Sequence, residues 1–226
     1  MPKGVMLTHR NIVSNARQAY RMEAKSLSWD SDSQLIMLPF FHIYVRIQYG
    51  NSSCDHTAYT AQGLSVNLSA TWNSGAPGIV MAKWDTERAC QLIQKYSITF
   101  IYSPPPVILA LSKQPLVDKY DLSSIKWINS GAAPLGRSLV QGVWDRLSII
   151  VKQGYGLSET SPTTHSQFQD EFWKFQGSVG KLYPGMQANI VDDEGKEVPQ
   201  GEVSHNKKVK PPTADADYFN SPVSCY

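Results

Sequence analysis

The stretch Ile149-Ile150-Val151-Lys152-Gln153-Gly154-Tyr155-Gly156-Leu157-Ser158-Glu159-Thr160-Ser161-Pro162 decides how this chain is read. Its first three residues form a short apolar run that reads as a buried strand. Two glycines follow, and they let a backbone turn tightly and approach a ligand closely. Ser158 offers a hydroxyl, Glu159 a hard anionic oxygen suited to Mg²⁺, and Tyr155 a flat face for a base. A nucleotide needs those groups close together. The same spacing also fits an ordinary strand-to-helix turn with a capping serine and an acidic first turn. A lone GxG beside a serine does not decide between the two.

Outward from this stretch, strand-like and helix-like patterns alternate. Thr8 or His9 opens a predicted helix with Ile12, Val13 and Ala16 on one face. Gln34 to Leu38 is an apolar run ended by Pro39. Asp85 is the expected N-cap of a helix carrying Ala89, Leu92, Ile93 and Tyr96. Ile98 to Tyr102 reads as a strand, Val107 to Leu111 as a short helix, and Ile125 to Asn129 as a further strand. Leu139, Val140, Val143, Trp144 and Leu147 mark an amphipathic helix before Ile149. Such alternation predicts an α/β fold with a largely parallel sheet. From about Gly177 the pattern changes, and Ala188–Val198 reads as a β-hairpin that opens a small β subdomain.

The composition is that of a globular chain of 226 residues: 42% hydrophobic, 18% charged, with a net charge of +2. So even a balance gives no reason to expect nucleic acid or an anionic membrane as partner. No apolar run reaches the length of a membrane span, since Thr99–Ala110 is cut by Pro104, Pro105 and Pro106. Three cysteines without metal-like spacing point to a reduced, intracellular setting. There is no HExxH, CxxC or GxSxG pattern for a metal site or a serine hydrolase.

Three further segments could carry chemistry. Ser130-Gly131-Ala132-Ala133-Pro134-Leu135-Gly136 leaves room for a flat ligand against the backbone, or is simply a tight loop between strand and helix. Pro39-Phe40-Phe41-His42-Ile43-Tyr44 could line an apolar acid pocket, although a core histidine is the commoner use of such a cluster. Pro2-Lys3-Gly4 sets a lysine beside a glycine, where it could meet a phosphate.

Taken in order, these segments resemble the AMP-forming acyl-CoA synthetases of the adenylate-forming superfamily, in the coumarate–CoA ligase-like branch. The matching stretches are PKGVMLTHRNIVSNA (2–16), LPFFHIY (38–44), VMAKWD (80–85), LIQKYSITF (92–100), SPPPVILALSK (103–113), VDKYDLSSIKWINSGAAPLG (117–136), QGYGLSET (153–160) and GSVGKLYPGMQANIVD (177–192). Several separated motifs in one order are far more specific than any one of them. The resemblance implies part of the large N-terminal domain of such enzymes: mostly parallel sheets flanked by helices, with the start of a small β subdomain. It implies a two-step reaction in which a carboxylate attacks the α-phosphate of Mg·ATP, and coenzyme A then displaces AMP to give a thioester. The implied partners are therefore a small carboxylic acid, ATP and CoA, with Mg²⁺.

By the same resemblance Lys3 ends a glycine-rich phosphate loop. Gly131, Ala132 and Ala133 line the adenine and acyl sites. Gln153, Gly154, Tyr155, Gly156 and Leu157 hold adenine, Ser158 contacts the α-phosphate, and Glu159 is associated with Mg²⁺. His42, Tyr44, Ala133 and Ser166 line the acid pocket. The expected division is a partial AMP-binding domain over 1–176, the start of the β subdomain over 177–203, and an unmatched, irregular tail over 204–226.

Some features depart from the family pattern. Residues 45–62 read as an insertion, because joining Tyr44 to Gly63 restores the pattern, and they suggest translated intron. The loss of resemblance after Val203 suggests read-through or a frameshift. The glycine-rich loop, the ribose-binding aspartate and the mobile domain with its adenylation lysine find no counterpart. The expectation is an acid–CoA ligase by family whose 226 residues do not turn over by themselves. The alternatives are a non-catalytic remnant that binds nucleotide or acyl-adenylate, and a luciferase-like or peptide-synthetase adenylating relative. A cytoplasmic setting is expected, with a peroxisomal one open for a full-length protein.

Overall fold

The computed structural model describes residues 6–23, 27–37, 69–199, 206–210 and 219–222. Among them a seven-stranded sheet forms the centre. Its strands are β1 (Gln34–Ile36), β2 (Gly78–Val80), β3 (Phe100–Ser103), β4 (Trp127–Ser130), β5 (Ile150–Gly156), β6 (Thr163–Ser166) and β7 (Lys181–Leu182), in the spatial order β2-β1-β3-β4-β5-β6-β7. The first five are parallel, whereas β6 pairs antiparallel with β5 and β7 antiparallel with β6. The mostly parallel α/β architecture expected from the sequence is therefore present.

Among the described residues five helices flank the sheet: α1 (His9–Glu23), α2 (Ser69–Ser74), α3 (Thr86–Tyr96), α4 (Pro105–Lys113) and α5 (Arg137–Leu147). From β1 the chain moves outward to β2, then crosses back over β1 to β3. Right-handed crossovers put the connections for these opposite moves on opposite faces. Thr71 of α2 confirms its side, because its Cγ2 lies 3.1 Å from where a Cβ on Gly78 would stand. Helix α1 packs on α2. The layers are thus α1 and α2, the sheet, and then α3 to α5.

The helices begin where the sequence provides caps. Asp85 accepts a hydrogen bond from Arg88 N at 2.7 Å, and Thr8 Oγ1 accepts from Asn11 N at 3.1 Å. Asn11 Oδ1 in turn accepts from Thr8 N at 2.9 Å, a reciprocal cap. Helix α4 starts on Pro105 and Pro106, whose fixed φ suits a first turn. Both α3 and α5 end in left-handed serines, Ser97 and Ser148.

The core joins Leu35, Ile101, Ile128 and Val151 of the strands to Ala89, Ile93, Ile108, Leu111, Val140 and Val143 of α3 to α5. On the opposite sheet face Phe100 stacks on Trp127 at 5.0 Å between ring centres, and Tyr102 meets Trp127 edge-on at 5.5 Å.

Three expectations need correcting. Helix α1 does not bury Ile12 and Val13; Val13 is 48% exposed, and the buried face carries Asn15, Gln18 and Ala19. The reason is that the amides of Asn15 and Gln18 fasten this helix to the rest of the molecule, beside a small apolar contact of Ala19 and Met22 with Tyr183 and Met186. Second, Gln153 to Gly156 do not follow a strand but lie inside β5, which continues through both glycines to pair with β6. Third, parts of the predicted irregular tail are strands. β8 (Gln187–Val191), β9 (Asn206–Lys210) and β10 (Phe219–Pro222) form a separate antiparallel sheet in the order β10-β9-β8. Residues 206–210 lack an alternating apolar pattern, so ladder pairing with β8 and β10 defines them as a strand. The turn expected after Val191 is present, with Asp192 N donating to Lys196 O at 2.9 Å and Lys196 N to Asp192 Oδ1 at 2.7 Å.

Candidate nucleotide-binding site

Strands β3, β4 and β5 end side by side, with Ser103 opposite Ser130 and Ser130 opposite Gln153. The carboxyl ends of parallel strands are where such folds take ligands. Two of the predicted segments leave from this edge. Gly131, Ala132 and Ala133 follow β4. Gly131 is buried and donates its N–H to Ser103 O at 3.3 Å, whereas Ala132 and Ala133 are exposed. Ala132 has φ +74°, a left-handed conformation that disfavours any side chain. This loop therefore turns sharply and presents small groups outward.

The second segment is the β5–β6 connection. It is not the start of a helix, as one local reading of the sequence allowed, but the tip of an antiparallel hairpin. Ser158, Glu159 and Thr160 form one short 3₁₀ turn there. Gly156 permits this close return: a Cβ on it would lie 2.2 Å from Pro162 O and 2.9 Å from Thr163 Cα. Leu157 N donates to Pro162 O at 2.9 Å and to Thr160 Oγ1 at 3.0 Å. The fully buried Thr160 hydroxyl also bonds Pro162 O, so it ties the turn from within. Ser158 and Glu159, immediately before this anchor, remain partly exposed. The turn thus holds one hydroxyl and one carboxylate beyond the carboxyl end of β5, the neighbour of β4, from which the Gly131–Ala133 loop leaves.

The hairpin is secured from three sides. Gln153 N donates to Gln167 Oε1 at 2.8 Å, and Gln167 N to Gln153 O at 3.0 Å. Thr164 Oγ1 donates to Tyr155 O at 3.2 Å, and the Tyr155 and His165 rings meet edge-on at 6.0 Å. From α1, Asn15 Nδ2 donates to Thr163 O at 2.7 Å while Asn15 Oδ1 accepts from Thr163 N at 3.2 Å. Gln18 Nε2 donates to Pro184 O at 2.7 Å. Asn15 went unread as a site residue in the sequence; its signal was an amide at a helix position where an apolar residue would serve packing.

Ser166 lies buried on β6. Its Oγ accepts a hydrogen bond from Asn129 Nδ2 at 3.2 Å. That bond runs from β4 to β6 across the intervening β5, over Gly154, which has no side chain to block it. A Cβ there would stand 3.3 Å from Asn129 Oδ1. Lys3, His42 and Tyr44 lie outside the described residues, as does the 45–62 segment.

Among the described residues no three His, Cys, Asp or Glu side chains gather into a metal cage. A single carboxylate at an exposed turn is nonetheless the donor set by which proteins hold Mg²⁺ that is bound mainly by substrate phosphates. Glu159 fits that requirement.

This edge, with its hairpin turn and small-residue loop, lies at the carboxyl ends of the parallel strands of an α/β domain. The sequence profile of the AMP-binding enzyme family matches residues 1–51 and 54–204, and the chain belongs to that family. The match runs through most of 45–62, omitting only residues 52 and 53 there. A 4-coumarate–CoA ligase of Pinus taeda is 33% identical over 230 residues, covering 99% of this chain and 39% of the relative. ATP-bound MatB from Rhodopseudomonas palustris superposes with a TM-score of 0.76 at 24% identity, over 96% of this chain and 38% of that one. The anthranilate CoA ligase AuaEII, in complex with anthranoyl-AMP, gives a TM-score of 0.77 at 21% identity, over 97% of this chain and 42% of that one. The chain therefore spans about two fifths of the length of the proteins it matches.

Proposed function

We propose that this chain is the nucleotide- and acid-binding core of an AMP-forming acid–CoA ligase, using ATP, Mg²⁺ and coenzyme A. The observation that carries the reading is the β5–β6 hairpin, which carries Ser158 and Glu159 beyond the end of β5, the strand next to the one that leads into Gly131–Ala133. In the first half-reaction an anion must meet an anion, so catalysis rests on positioning and on neutralising phosphate charge. Ser158 is assigned to the α-phosphate, to which its hydroxyl can donate. Glu159 is assigned to Mg²⁺, whose charge offsets that of the phosphates. Gln153 to Leu157 and Gly131 to Ala133 provide the flat slot for adenine. Lys3 is assigned to the phosphates, and His42, Tyr44, Ala133 and Ser166 to the acid. The coumarate–CoA ligase relative makes an aryl acid the first class to screen.

The 226 residues alone are expected to bind without turning over, since they span about two fifths of their relatives. The test is calorimetric titration with a 5′-O-(N-acylsulfamoyl)adenosine, a stable mimic of the acyl-adenylate, and with AMP. Saturable binding is expected, weakened about tenfold or more by Ser158→Ala, the loss of one hydrogen bond to a charged group. Binding unchanged in Ser158→Ala and in Glu159→Gln with Mg·ATP would refute the assignment.

A further inference from the structure

The two ends of the proposed nucleotide site are supported differently. Strand β5 is paired with β4 as far as Gln153, and from Gly154 to Gly156 its registered partner is β6. On its other side β6 meets β7 at His165 and Ser166, so Thr163 has no register partner there. The Thr163 backbone is taken up instead by one side chain of α1. Asn15 Oδ1 accepts from Thr163 N at 3.2 Å, and Asn15 Nδ2 donates to Thr163 O at 2.7 Å. A carboxamide offers a donor and an acceptor side by side, as a peptide group does, so Asn15 stands where a further strand would pair.

From Thr163 the hold passes to the turn in one step. The preceding carbonyl, Pro162 O, accepts from Leu157 N at 2.9 Å and from the Thr160 hydroxyl. Leu157 and Thr160 bracket Ser158 and Glu159. The adenine end is held without α1: Gln153 by the β4 ladder and by Gln167, and Gly131 by its N–H to Ser103 O. Packing alone does not call for an amide at position 15, which is 2% exposed. An apolar side chain would fill the place without the cost of burying polar atoms. Helix α1 has other attachments in Gln18 and in the contact of Ala19 and Met22 with Tyr183 and Met186.

We propose that Asn15 is a positioning residue for the phosphate end of the nucleotide: without touching the ligand, it fixes the Ser158–Glu159 turn relative to the adenine slot. This rests on the function proposed above, in which Ser158 meets the α-phosphate. A misplacement of about 1 Å in such a group is enough to cost about 10²-fold in rate.

The experiment titrates adenosine and AMP, which differ by the phosphate alone, against the chain and its variants at neutral pH. In the unaltered chain AMP should bind at least about tenfold tighter than adenosine. Asn15→Ala should keep adenosine affinity and lose most of that ratio. Asn15→Asp should do the same while preserving shape, because it replaces the donor to Thr163 O with a second acceptor. The remote cap variant Asp85→Ala lowers stability through α3 and should keep the ratio. A ratio retained in both Asn15 variants overturns the proposal and leaves the function proposed above standing. Equal weakening of adenosine and AMP, loss of all binding in both Asn15 variants, or loss of the ratio in Asp85→Ala also overturns it, since each marks a merely structural role. No AMP preference in the unaltered chain, or no binding of either probe, overturns both readings.

Discussion

Replacing Gly156 with alanine tests the hairpin on which the site is built. An alanine Cβ at this position would stand 2.2 Å from Pro162 O, 2.7 Å from its carbonyl carbon and 2.9 Å from Thr163 Cα. All three are backbone atoms, so no side chain can rotate away. Relief requires β5 and β6 to part by roughly 1 Å at the point where the register already shifts between Tyr155 and Gly156. Parting them stretches the Leu157 N to Pro162 O bond, now 2.9 Å, and loosens the Thr160 anchor. Overpacking of this kind costs about 1–3 kcal/mol, and a strained buried hydrogen bond adds about 1 kcal/mol. The sum, about 2–4 kcal/mol, is a large share of a domain's stability. The assay is urea unfolding followed by tryptophan fluorescence, with Gly136→Ala as control, because a Cβ there meets nothing nearer than Ser138 Oγ at 3.8 Å. A Gly156→Ala chain as stable as Gly136→Ala, with unchanged adenylate affinity, would refute the close return of the hairpin.

Other outcomes follow from the same geometry. Ala132→Gly relieves the φ of +74° and should raise stability by about 1 kcal/mol or slightly less in the same urea assay. Asn15→Ala leaves Thr163 N and O without their partner and should cost about 1–3 kcal/mol, with faster hydrogen exchange at Thr163. The Asp118 carboxyl is held below its ordinary value of 3.8, chiefly by the hydrogen bond from the Arg146 guanidinium. Its folded value is depressed, so the stability it lends is present above pH 3.8 and lost as the pH falls through the folded value. The gap in urea midpoint between the unaltered chain and Asp118→Asn should therefore close on acidification below 3.8. Burial pushes the Cys90 thiol up to about 11, so peptide mapping should find it unalkylated in the folded chain at neutral pH and alkylated in urea.

The sequence announced those elements whose local chemistry agreed with their packing. Asp85 with Ala89, Leu92 and Ile93 is one case, since cap and apolar spacing point to the same helix that the structure buries. The alternation that placed β3, β4 and β5 around α4 and α5 is another. Helix α1 was misjudged on its buried face because its attachment is made by Asn15 and Gln18 to backbone groups some 150 residues away, and periodicity of apolar residues carries no trace of that. The strand character of Gln153–Gly156 was hidden for a similar reason. Two glycines read locally as a turn, and only the partner strand at 163–166 shows that they admit close neighbours within a ladder. Asn129 and Lys152 each follow the last apolar residue of their run, where a polar residue marks only the end of a strand. Their pairing across the sheet needed the register.

The most direct test of the central claim is hydrogen–deuterium exchange of the chain with and without a 5′-O-(N-acylsulfamoyl)adenosine. The account predicts slowed exchange in the peptides holding Gln153–Thr160 and Gly131–Ala133, with little change in α3 and α4. Protection confined to other segments, or none at saturating probe, would contradict it.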